Sequence, residues 1–533
     1  LSTWNPFEHE KSEWFDPKWM FGVEKFDIVI GNPPYIKEYT NKTAFDGIRG
    51  KEYYQGKMDI WYYFACHLFD FLTHEGNLTF IATNNWVTNS GASKLRDKIT
   101  TDCQIIQLID FGNTKVFSSA DIQTMILLAE KKSDKRKYEF DFRSIESNEA
   151  SLKDSINMLA GLPSQKYTIA SPTFERELYE SKNFVFNTSA NERLLGKIKE
   201  KQNFHLDARK EVATGIDVHQ DFVTKKHIQL VGDNLSLGQG IFNLTTKELY
   251  SLDLTDNEKS LIKPFYTTSE LKRYVGNSVN KLWVIYTDSK FKNEKEILPY
   301  PNLKKHLDQF RDIITSDNWP YGLHRARDES FFKGEKIISL RKCSDRPTFT
   351  YTDFDAYVSQ TYFVLKTERI SQKYLTGLLN SKLIEFWLRY KGKMQGFNFQ
   401  VDKEPLLEIP IYKPDNIGVF EVLVDYIISI LQMEVEINPH VSNSHIAQLF
   451  EEVIDAMVME LYFNDDFEKV GIEFIKYAER DFESIEGKSQ QEQIEIIHRV
   501  YQKLREKDNE VRNNLKLMDI KLVDIVMPIK AVK

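Results

Sequence analysis

The chain has 533 residues, enough for roughly two to four domains that each bury a core. Hydrophobic residues make up 41% and charged residues 28% of it, which is the composition of an ordinary soluble protein. No apolar stretch reaches the length of a membrane span and the N-terminus lacks signal-peptide regions, so the sequence argues against a membrane partner.

Charge is distributed unevenly along the chain, whose net charge is −8. Residues 1–184 hold 22 Lys and Arg against 26 Asp and Glu, residues 185–412 hold 35 against 29, and residues 413–533 hold 14 against 24. The middle region is therefore basic, and it is where we expect contacts with a polyanion. The three cysteines are far apart and form no CxxC pair, so we expect no metal site and a reducing, cytoplasmic location.

Residues 26–132 alternate short apolar runs with helical patterns. The runs FDIVIG, NLTFIATN, IIQLIDFG and IQTMILLAEKK predict strands, and IWYYFACHLFDFL and GASKLRDKITT predict helices. Strand–helix–strand units of this spacing predict a largely parallel α/β sheet, with FDIVIG as a buried strand.

The rest of the chain divides into a mixed region and a helical one. In the middle, LWVIYTD, KIISLRK and TYFVLKT predict strands and YLTGLLNSKLIEFWLRY predicts a helix. Beyond residue 416 the pattern is mostly helical, and apolar residues from Ile446 to Leu461 recur with a 3.6-residue period. We therefore predict three regions: an α/β region at 1–170, a mixed α+β region at 185–412 and a helical region at 413–533.

The stretch Asn32-Pro33-Pro34-Tyr35 follows the first predicted strand directly. Ligands of parallel sheets bind beyond the carboxyl ends of strands, and a residue before proline is held extended. Prolines have no N–H group, so the Pro33 carbonyl and the Asn32 side chain can offer two adjacent acceptors to an exocyclic amino group. Tyr35 adds a flat face for stacking. A proline-rich turn without function is the alternative interpretation, and the position of the motif at a strand end argues against it.

With these residues the chain resembles DNA adenine-N6 methyltransferases of the gamma type. It is most similar to type IIG restriction–modification enzymes with a TaqI-like C-terminal specificity domain. Besides NPPY, the resemblance rests on GKMDIWYYF, EGNLTFIATNNWVTNSGASKLR and VFSSADIQTMIL, and on VATGIDVHQDFV, LIKPFYTTSELKRY and YLTGLLNSKL in the middle region. It implies a partial Rossmann-like methyltransferase sheet, then an α+β DNA-specificity domain and a helical C-terminal region.

The resemblance also implies roles for individual residues. Asn32 and the Pro33 carbonyl would accept hydrogen bonds from the adenine amino group, and Tyr35 and Phe117 would stack on the flipped base. The pocket for S-adenosylmethionine (AdoMet) would be lined by Pro34, Ile60 and Phe64. Phe64 and Phe117 could instead be ordinary core residues. Flipping the base costs a few kcal/mol, which aromatic stacking of roughly 1–3 kcal/mol per base partly offsets.

The glycine-rich AdoMet loop expected upstream of NPPY is absent from this sequence. The chain therefore resembles the back half of the methyltransferase domain together with the later domains of such enzymes, and we expect it to transfer no methyl group alone. An endonuclease domain that uses Mg²⁺, if the full protein has one, would lie upstream of Leu1.

Double-stranded DNA is the expected partner, bound by a monomer through the middle region. Candidate base contacts share the side-chain types that read base edges in the major groove: Arg273, Arg325, Arg327, Arg341, Gln395 and Asn398. Each could equally be a phosphate anchor or part of an ion pair. Alternative functions are a phage-defence (BREX-like) DNA methyltransferase, a DNA-recognition module without catalysis, and a protein N5-glutamine methyltransferase.

Overall fold

Two compact units make up the chain in its computed structural model. The described residues are 16–117, 122–145, 147, 149–164, 166–179, 184, 186, 189–231, 235–395 and 398–532. Of these, the first unit contains the residues up to 193 together with 394, 395 and 398, and the second contains 194–393 and 399–532. Each unit has a hydrophobic core of its own.

The first unit alternates strands and helices. Its strands are β1 (Phe26–Gly31), β2 (Leu72–Thr83), β3 (Gln104–Asp110), β4 (Thr124–Glu130), β5 (Lys137–Glu139), β6 (Asp141–Ile145), β7 (Tyr167–Ala170) and β8 (Thr173–Glu175). Its helices are α1 (Pro17–Phe21), α2 (Ile60–Asp70), α3 (Ser93–Asp102), α4 (Leu152–Leu159) and α5 (Arg176–Tyr179). The strands and helices predicted for residues 26–132 are all present, with shifted ends.

Within the described residues, six of these strands form one sheet in the order β1-β2-β4-β3-β6-β7. β1 pairs with β2, and β3 with β6, in parallel, whereas β4 is antiparallel to both its neighbours. The α/β fold class is confirmed: β1, β2, β3 and β6 run in one direction, whereas β4, which lies within the predicted parallel run, is antiparallel to them. A parallel return needs a crossover, usually a helix, and no helix lies in the described part of the connection from β3 to β4.

Among the described residues, the strand before NPPY pairs with β2 on one side only, and the expectation of a buried strand is wrong. Ile28 and Ile30 are 64% and 77% exposed. The β-branched run favours a strand whether or not its faces are covered. At the end of β1, a Cβ on Gly31 would lie 2.9 Å from the Phe80 ring. The missing side chain therefore lets NPPY begin directly against β2.

Helices α2 and α3 pack on the sheet and contribute to the first core. Trp61, Ala65 and Phe69 recur every four residues along α2 and are fully buried, as the 3.6-residue period of a helix requires. They pack with Phe80 of β2 and Leu95 of α3 in one cluster. The three cysteines, of which Cys66 and Cys103 lie in this unit, are buried and unpaired.

The second unit is mixed and ends in helices. The remaining strands are β9 (Val212–Thr214), β10 (Asn243–Thr245), β11 (Ile262–Tyr266), β12 (Tyr274–Val275), β13 (Leu282–Ile285), β14 (Lys336–Leu340), β15 (Lys342–Cys343), β16 (Phe349–Thr352), β17 (Tyr357–Val358), β18 (Tyr362–Leu365), β19 (Lys393–Gln395) and β20 (Asn398–Gln400). The remaining helices are α6 (Ser189–Glu200), α7 (Lys225–Val231), α8 (Thr246–Ser251), α9 (Asp256–Lys259), α10 (Pro301–Asp308), α11 (Gln372–Leu379), α12 (Lys382–Lys391), α13 (Lys403–Leu407), α14 (Gly418–Gln432), α15 (Asn443–Tyr462), α16 (Asn464–Val470), α17 (Ile475–Asp481), α18 (Gln490–Arg505), α19 (Glu510–Lys521) and α20 (Val523–Lys530).

Two sheets organise the strands of the second unit in the part of the chain that the structure describes. One has the order β10-β13-β11-β17 and the other β12-β16-β14-β18-β9. The strands predicted at LWVIYTD, KIISLRK and TYFVLKT are confirmed as β13, β14 and β18. The apolar stripe beginning at Ile446 lies on α15, which packs against α14. The predicted acidic helical region therefore shares a compact unit with the mixed region.

The single helix predicted over residues 374–390 is instead two helices, α11 and α12. Ser381 begins the second, and its hydroxyl accepts a hydrogen bond from the Ile384 N–H at 3.3 Å. The Asn380 side chain bonds the backbone of Phe349 at 2.8 and 3.2 Å. Asn and Ser satisfy backbone groups that a continuous helix would pair, so the chain turns at this point.

Gly215 lies where the backbone of the second unit leaves no room for a side chain. A Cβ there would lie 2.1 Å from the Ser359 carbonyl oxygen. We expect Gly215→Ala to destabilise the chain by about 1–3 kcal/mol through overpacking, measured as a lower midpoint of thermal unfolding. Gly196→Ala is the matched control, because Gly196 lies in α6 with open space around it and alanine favours helix. An unchanged midpoint for Gly215→Ala would contradict the expectation.

Candidate functional site

The carboxyl ends of β1, β2 and β3 meet at one edge of the first unit's sheet. β1 is parallel to β2, and β3 is parallel to β2 because β4 is antiparallel to both. Asn32 follows β1, Asn84 and Asn85 follow β2, and Asp110 ends β3. Polar side chains therefore collect where α/β sheets bind ligands.

The NPPY loop is fastened to β2 by its tyrosine. The Tyr35 hydroxyl donates to the Ile81 carbonyl at 2.7 Å and also contacts Asn32 Oδ1. Pro33 is buried, whereas Asn32 and Pro34 are exposed. Burial, and secondly the carboxylate of Asp59, raise the pKa of Tyr35, so the hydroxyl keeps its proton. The loop thus presents Asn32 outward while Tyr35 holds the loop's position.

Asp59 is a buried carboxylate beside this loop. It precedes α2, and a β-bridge joins it to Lys37, two residues after Tyr35. The Ile60 N–H bonds the Ile36 carbonyl at 2.9 Å, which fixes the start of α2 against the loop. Asp59 is 2% exposed, and neither carboxylate oxygen has a hydrogen-bond partner among the described residues. Burial raises the pKa of Asp59 to about 6.

The polar groups after β2 and β3 form a second layer of the site. Asn84 Nδ2 donates to Asp110 Oδ1 at 3.0 Å, and the Gly112 N–H donates to the same oxygen at 2.9 Å. Burial raises the pKa of Asp110. These bonds position the start of the segment that leads to Phe117. Asp59, Asn84 and Asp110 were not predicted from the sequence, although the polar residues at the carboxyl ends of the predicted strands were a usable signal for the last two.

The predicted pocket residues lie at the start of α2 and beyond β3. Ile60 is the buried first residue of α2, and Phe64 lies one turn later on the same side of that helix and is 41% exposed. Phe117 is half-buried in the segment after β3. Phe64 is therefore not an ordinary core residue, whereas the stacking role of Phe117 stays a prediction.

Three of the predicted arginines converge in the second unit. The backbone N–H of Arg325 bonds the Asp217 carbonyl at 3.0 Å. Arg327 Nε donates to the Gly215 carbonyl at 3.3 Å, and Arg341 Nη1 to the Gln360 carbonyl at 3.1 Å. These contacts gather the arginines around the close approach at Gly215.

The other predicted base contacts lie elsewhere. The Arg273 guanidinium pairs with Glu451 and donates to the Asn380 carbonyl at 2.6 Å. Because that guanidinium is engaged inside the unit, we do not retain Arg273 as a base contact. Asn398 is exposed at the start of β20. Gln395 ends β19, and its side chain lies outside the described residues.

Two segments of the chain match known protein families. Residues 3–117 match the family described as Eco57I restriction-modification methylase, and residues 263–411 match the TaqI-like C-terminal specificity domain. The chain therefore combines a segment similar to the methylase family, called the methylase segment below, with a segment similar to the specificity domain. The resemblance to restriction–modification methyltransferases of this type is therefore confirmed, and NPPY lies inside the methylase segment.

Individual relatives are distant. The type II methyltransferase M.HindII of Haemophilus influenzae is 22% identical over 73% of this chain and 75% of its own length. RM.MjaORFECS2P of Methanocaldococcus jannaschii, provisionally named a type II restriction enzyme and methyltransferase, is 23% identical over 84% of this chain. The chain covers 32% of that relative.

A solved structure shares the fold. The type IIL restriction-modification enzyme MmeI, solved in complex with DNA, aligns over 89% of this chain with a TM-score of 0.51 and 13% identity. The chain spans 57% of the MmeI chain. In the ranges that the structure describes, no helix is long and apolar enough to cross a membrane. The same ranges contain no His, Cys, Asp and Glu cluster suited to a metal ion.

The buried carboxylate predicts a pH-dependent stability. The unfolded chain ionises Asp59 near its ordinary pKa of 3.8, whereas the folded chain retains the proton until about pH 6. Unfolding therefore releases a proton between these values, and stability falls as pH rises through this window, by about 1–3 kcal/mol. Asp59→Asn removes the ionisation, so its unfolding midpoint should exceed that of the wild type at pH 8 but not at pH 4.

Differential scanning calorimetry at the two pH values measures this difference. Asp46→Asn, which changes a carboxylate on the surface of the same unit, is the control and should show no such growth with pH. A wild-type midpoint equal to that of Asp59→Asn at pH 8 would contradict the raised pKa.

Proposed function

We propose that this chain carries the target-base part of an AdoMet-dependent DNA methyltransferase that modifies adenine at N6 within a restriction–modification system. The observation that carries the proposal is the NPPY loop, held by Tyr35 at the carboxyl edge of the sheet inside the methylase segment. Relatives of this chain are named type II methyltransferases, which supports methyl transfer as the reaction class.

The loop offers acceptors where an adenine amino group would need them. Asn32 is exposed, and its side-chain carbonyl, which also accepts from the Tyr35 hydroxyl, keeps a second lone pair for a ligand. Pro33 and Pro34 have no N–H group, so no donor of their own competes for the carbonyl oxygens beside them. Two acceptors hold both amino hydrogens and direct the nitrogen lone pair outward, which is chiefly a matter of positioning. As positive charge develops on N6 during the transfer, the same acceptors stabilise it.

Stacking would hold the rest of the base. In this proposal a flipped adenine lies between Tyr35 and Phe117, which replaces the stacking lost from the duplex. The Tyr35 hydroxyl bonds the sheet rather than the base, so the ring serves as a fixed face. The Asn84–Asp110 contact then acts on Phe117 by fixing where its segment leaves β3.

The residues present fit a cationic methyl donor with an aromatic base. Asp59 has an unpaired buried carboxylate beside the NPPY loop, and Phe64 exposes an aromatic face one helical turn from Ile60. These residues, together with Pro34, would hold AdoMet, which supplies the activated methyl group when bound.

The specificity domain would bring a chosen duplex sequence to this site. Its region is the basic part of the chain, and Arg327 and Arg341 donate there to the backbone carbonyls of Gly215 and Gln360. Phosphate contacts would position the duplex and base-edge contacts would select it. Double-stranded DNA is thus the partner that the second unit fits.

Asn32→Ala should abolish methylation in cells. We would express the full-length gene that contains this chain, upstream region included, in a host without adenine methylation and sequence the host DNA with single-base detection of modified bases. Wild type should modify adenine in one short motif. Asn32→Ala should lower the modified fraction by about 100-fold or more, since it removes one acceptor of the developing charge.

The controls separate chemistry from folding. Asn77→Ala changes an amide on β2 away from the carboxyl edge and should leave methylation intact. Tyr35→Phe keeps the ring but removes the bond to Ile81, so partial activity is expected. Full methylation by Asn32→Ala would refute the assigned site. N4-methylcytosine would correct the base, and unmodified DNA would favour the N5-glutamine alternative.

A further inference from the structure

The second unit contains two imidazoles in contact, tilted against each other, next to Arg325. The rings of His219 and His324 lie 4.8 Å apart between centroids, at 56° to each other. His219 is exposed and has a φ of +68°, which non-glycine residues adopt rarely and at some cost in strain. Strained, exposed residues of this kind occur at functional sites, and neither histidine has a role in the proposed function so far.

His324 is held in one tautomer. Its Nδ1 accepts a hydrogen bond from the Asp317 N–H at 3.2 Å, so in the neutral ring Nε2 carries the proton. That nitrogen faces the carboxylates of Asp217 and Asp317 at 4.0 and 3.8 Å. The Asn318 side chain donates to the His324 carbonyl at 3.3 Å. The ring is thereby fixed as a support, and His219 lies on it.

Two side chains of this cluster are left available for a ligand. Among the described residues, no hydrogen-bond or ion-pair partner is found for the His219 ring nitrogens or the Arg325 guanidinium, and both residues are exposed. Their backbones are anchored: Asp217 and Arg325 exchange two backbone bonds of 3.0 and 3.1 Å. A fixed backbone with unpaired donors is the arrangement that a readout site requires.

The charge around the cluster favours base edges over phosphate. A phosphate anchor would be uniformly cationic, whereas here the carboxylates of Asp217 and Asp317 flank the histidine that precedes Arg325. The edge of a G·C pair in the major groove offers guanine O6 and N7 as acceptors and the cytosine amino group as a donor. The guanidinium can donate to the guanine acceptors, and the neighbouring carboxylates can accept from the cytosine amino group.

We infer that Arg325 and His219 read base edges in the recognition sequence, with Arg325 on guanine and His324 as the positioning residue that supports His219. The inference rests on the proposed function, because it names the readout residues of that DNA-binding unit. His219 lies upstream of residues 263–411, so the readout surface extends beyond the matched specificity domain.

Affinity selection from a random duplex pool tests this with the purified chain. Wild type should enrich one motif. Arg325→Ala should enrich the same motif with one G·C position degenerate, a loss of about tenfold or more in discrimination there. His219→Ala should degrade a neighbouring position. Arg209→Ala is the matched control, since Arg209 is exposed in the same unit and its loss removes equal charge; the motif of this variant should equal that of wild type.

The positioning role has its own readout. His324→Ala should degrade the position lost in His219→Ala, and His324→Phe, which keeps a ring beneath His219, should restore it. If Arg325→Ala lowers the melting temperature, the motif enriched by Arg325→Lys tests the readout instead. Lysine retains the charge but not the bidentate geometry, so the same G·C position should become degenerate.

The outcomes separate the two proposals. An unchanged motif in folded Arg325→Ala or in Arg325→Lys overturns the readout by Arg325 and leaves the proposed DNA recognition standing. If Arg325→Ala loses affinity equally for every duplex, with no position more degenerate than another, the readout by Arg325 is also overturned, because a phosphate contact behaves in that way. A wild-type chain that enriches no motif overturns DNA recognition itself, and the inference with it.

Discussion

The hydrogen bond from the Tyr35 hydroxyl to the Ile81 carbonyl links the sequence motif to the sheet. Among the described residues β1 pairs with β2 on one side only, and its apolar side chains are largely exposed, so packing alone holds it weakly. Its parallel pairing with β2 and this one tyrosine bond are what set the position of Asn32 relative to the neighbouring strand ends. An acceptor pair must be placed to within a fraction of an ångström to hold an amino group in line with its methyl donor.

Asp59 shows how the same loop constrains the first turn of α2. The bridge to Lys37 and the bond from Ile60 to Ile36 bring a carboxylate into the core beside NPPY. A buried acid without a hydrogen-bond partner costs stability, and the raised pKa of Asp59 reflects that cost. Residues that are strained or underpaired in a stable fold often have a functional purpose. The position of Asp59 beside the proposed methyl-donor pocket gives it one.

Local sequence signals were sufficient for much of the fold and for part of the site. Apolar periodicity located β1, α2 and the stripe on α15, and the rigidity of proline marked NPPY as a presented loop. The direction of strand pairing was not encoded locally, because the apolar sequence of β4 is equally compatible with a parallel and an antiparallel strand. The turn at Asn380 was missed because its stabilising bonds go to Phe349, distant in sequence. Asp59, Asp110 and His219 became candidates only when tertiary contacts showed their neighbours.

In the proposed function, the two units would meet their ligands by different physical means. The methylase segment presents neutral acceptors, Asn32 and the proline carbonyls, whose effect depends on geometry and is little affected by salt. The second unit gathers guanidinium groups on backbone carbonyls around Gly215, and such charges act through phosphates and base edges in a salt-dependent way. Arg273 belongs to neither class, since Glu451 and Asn380 occupy its guanidinium inside the fold. An arginine therefore qualifies as a readout residue only when its own unit leaves its donors unpaired, and among the arginines predicted from sequence Arg325 meets that condition.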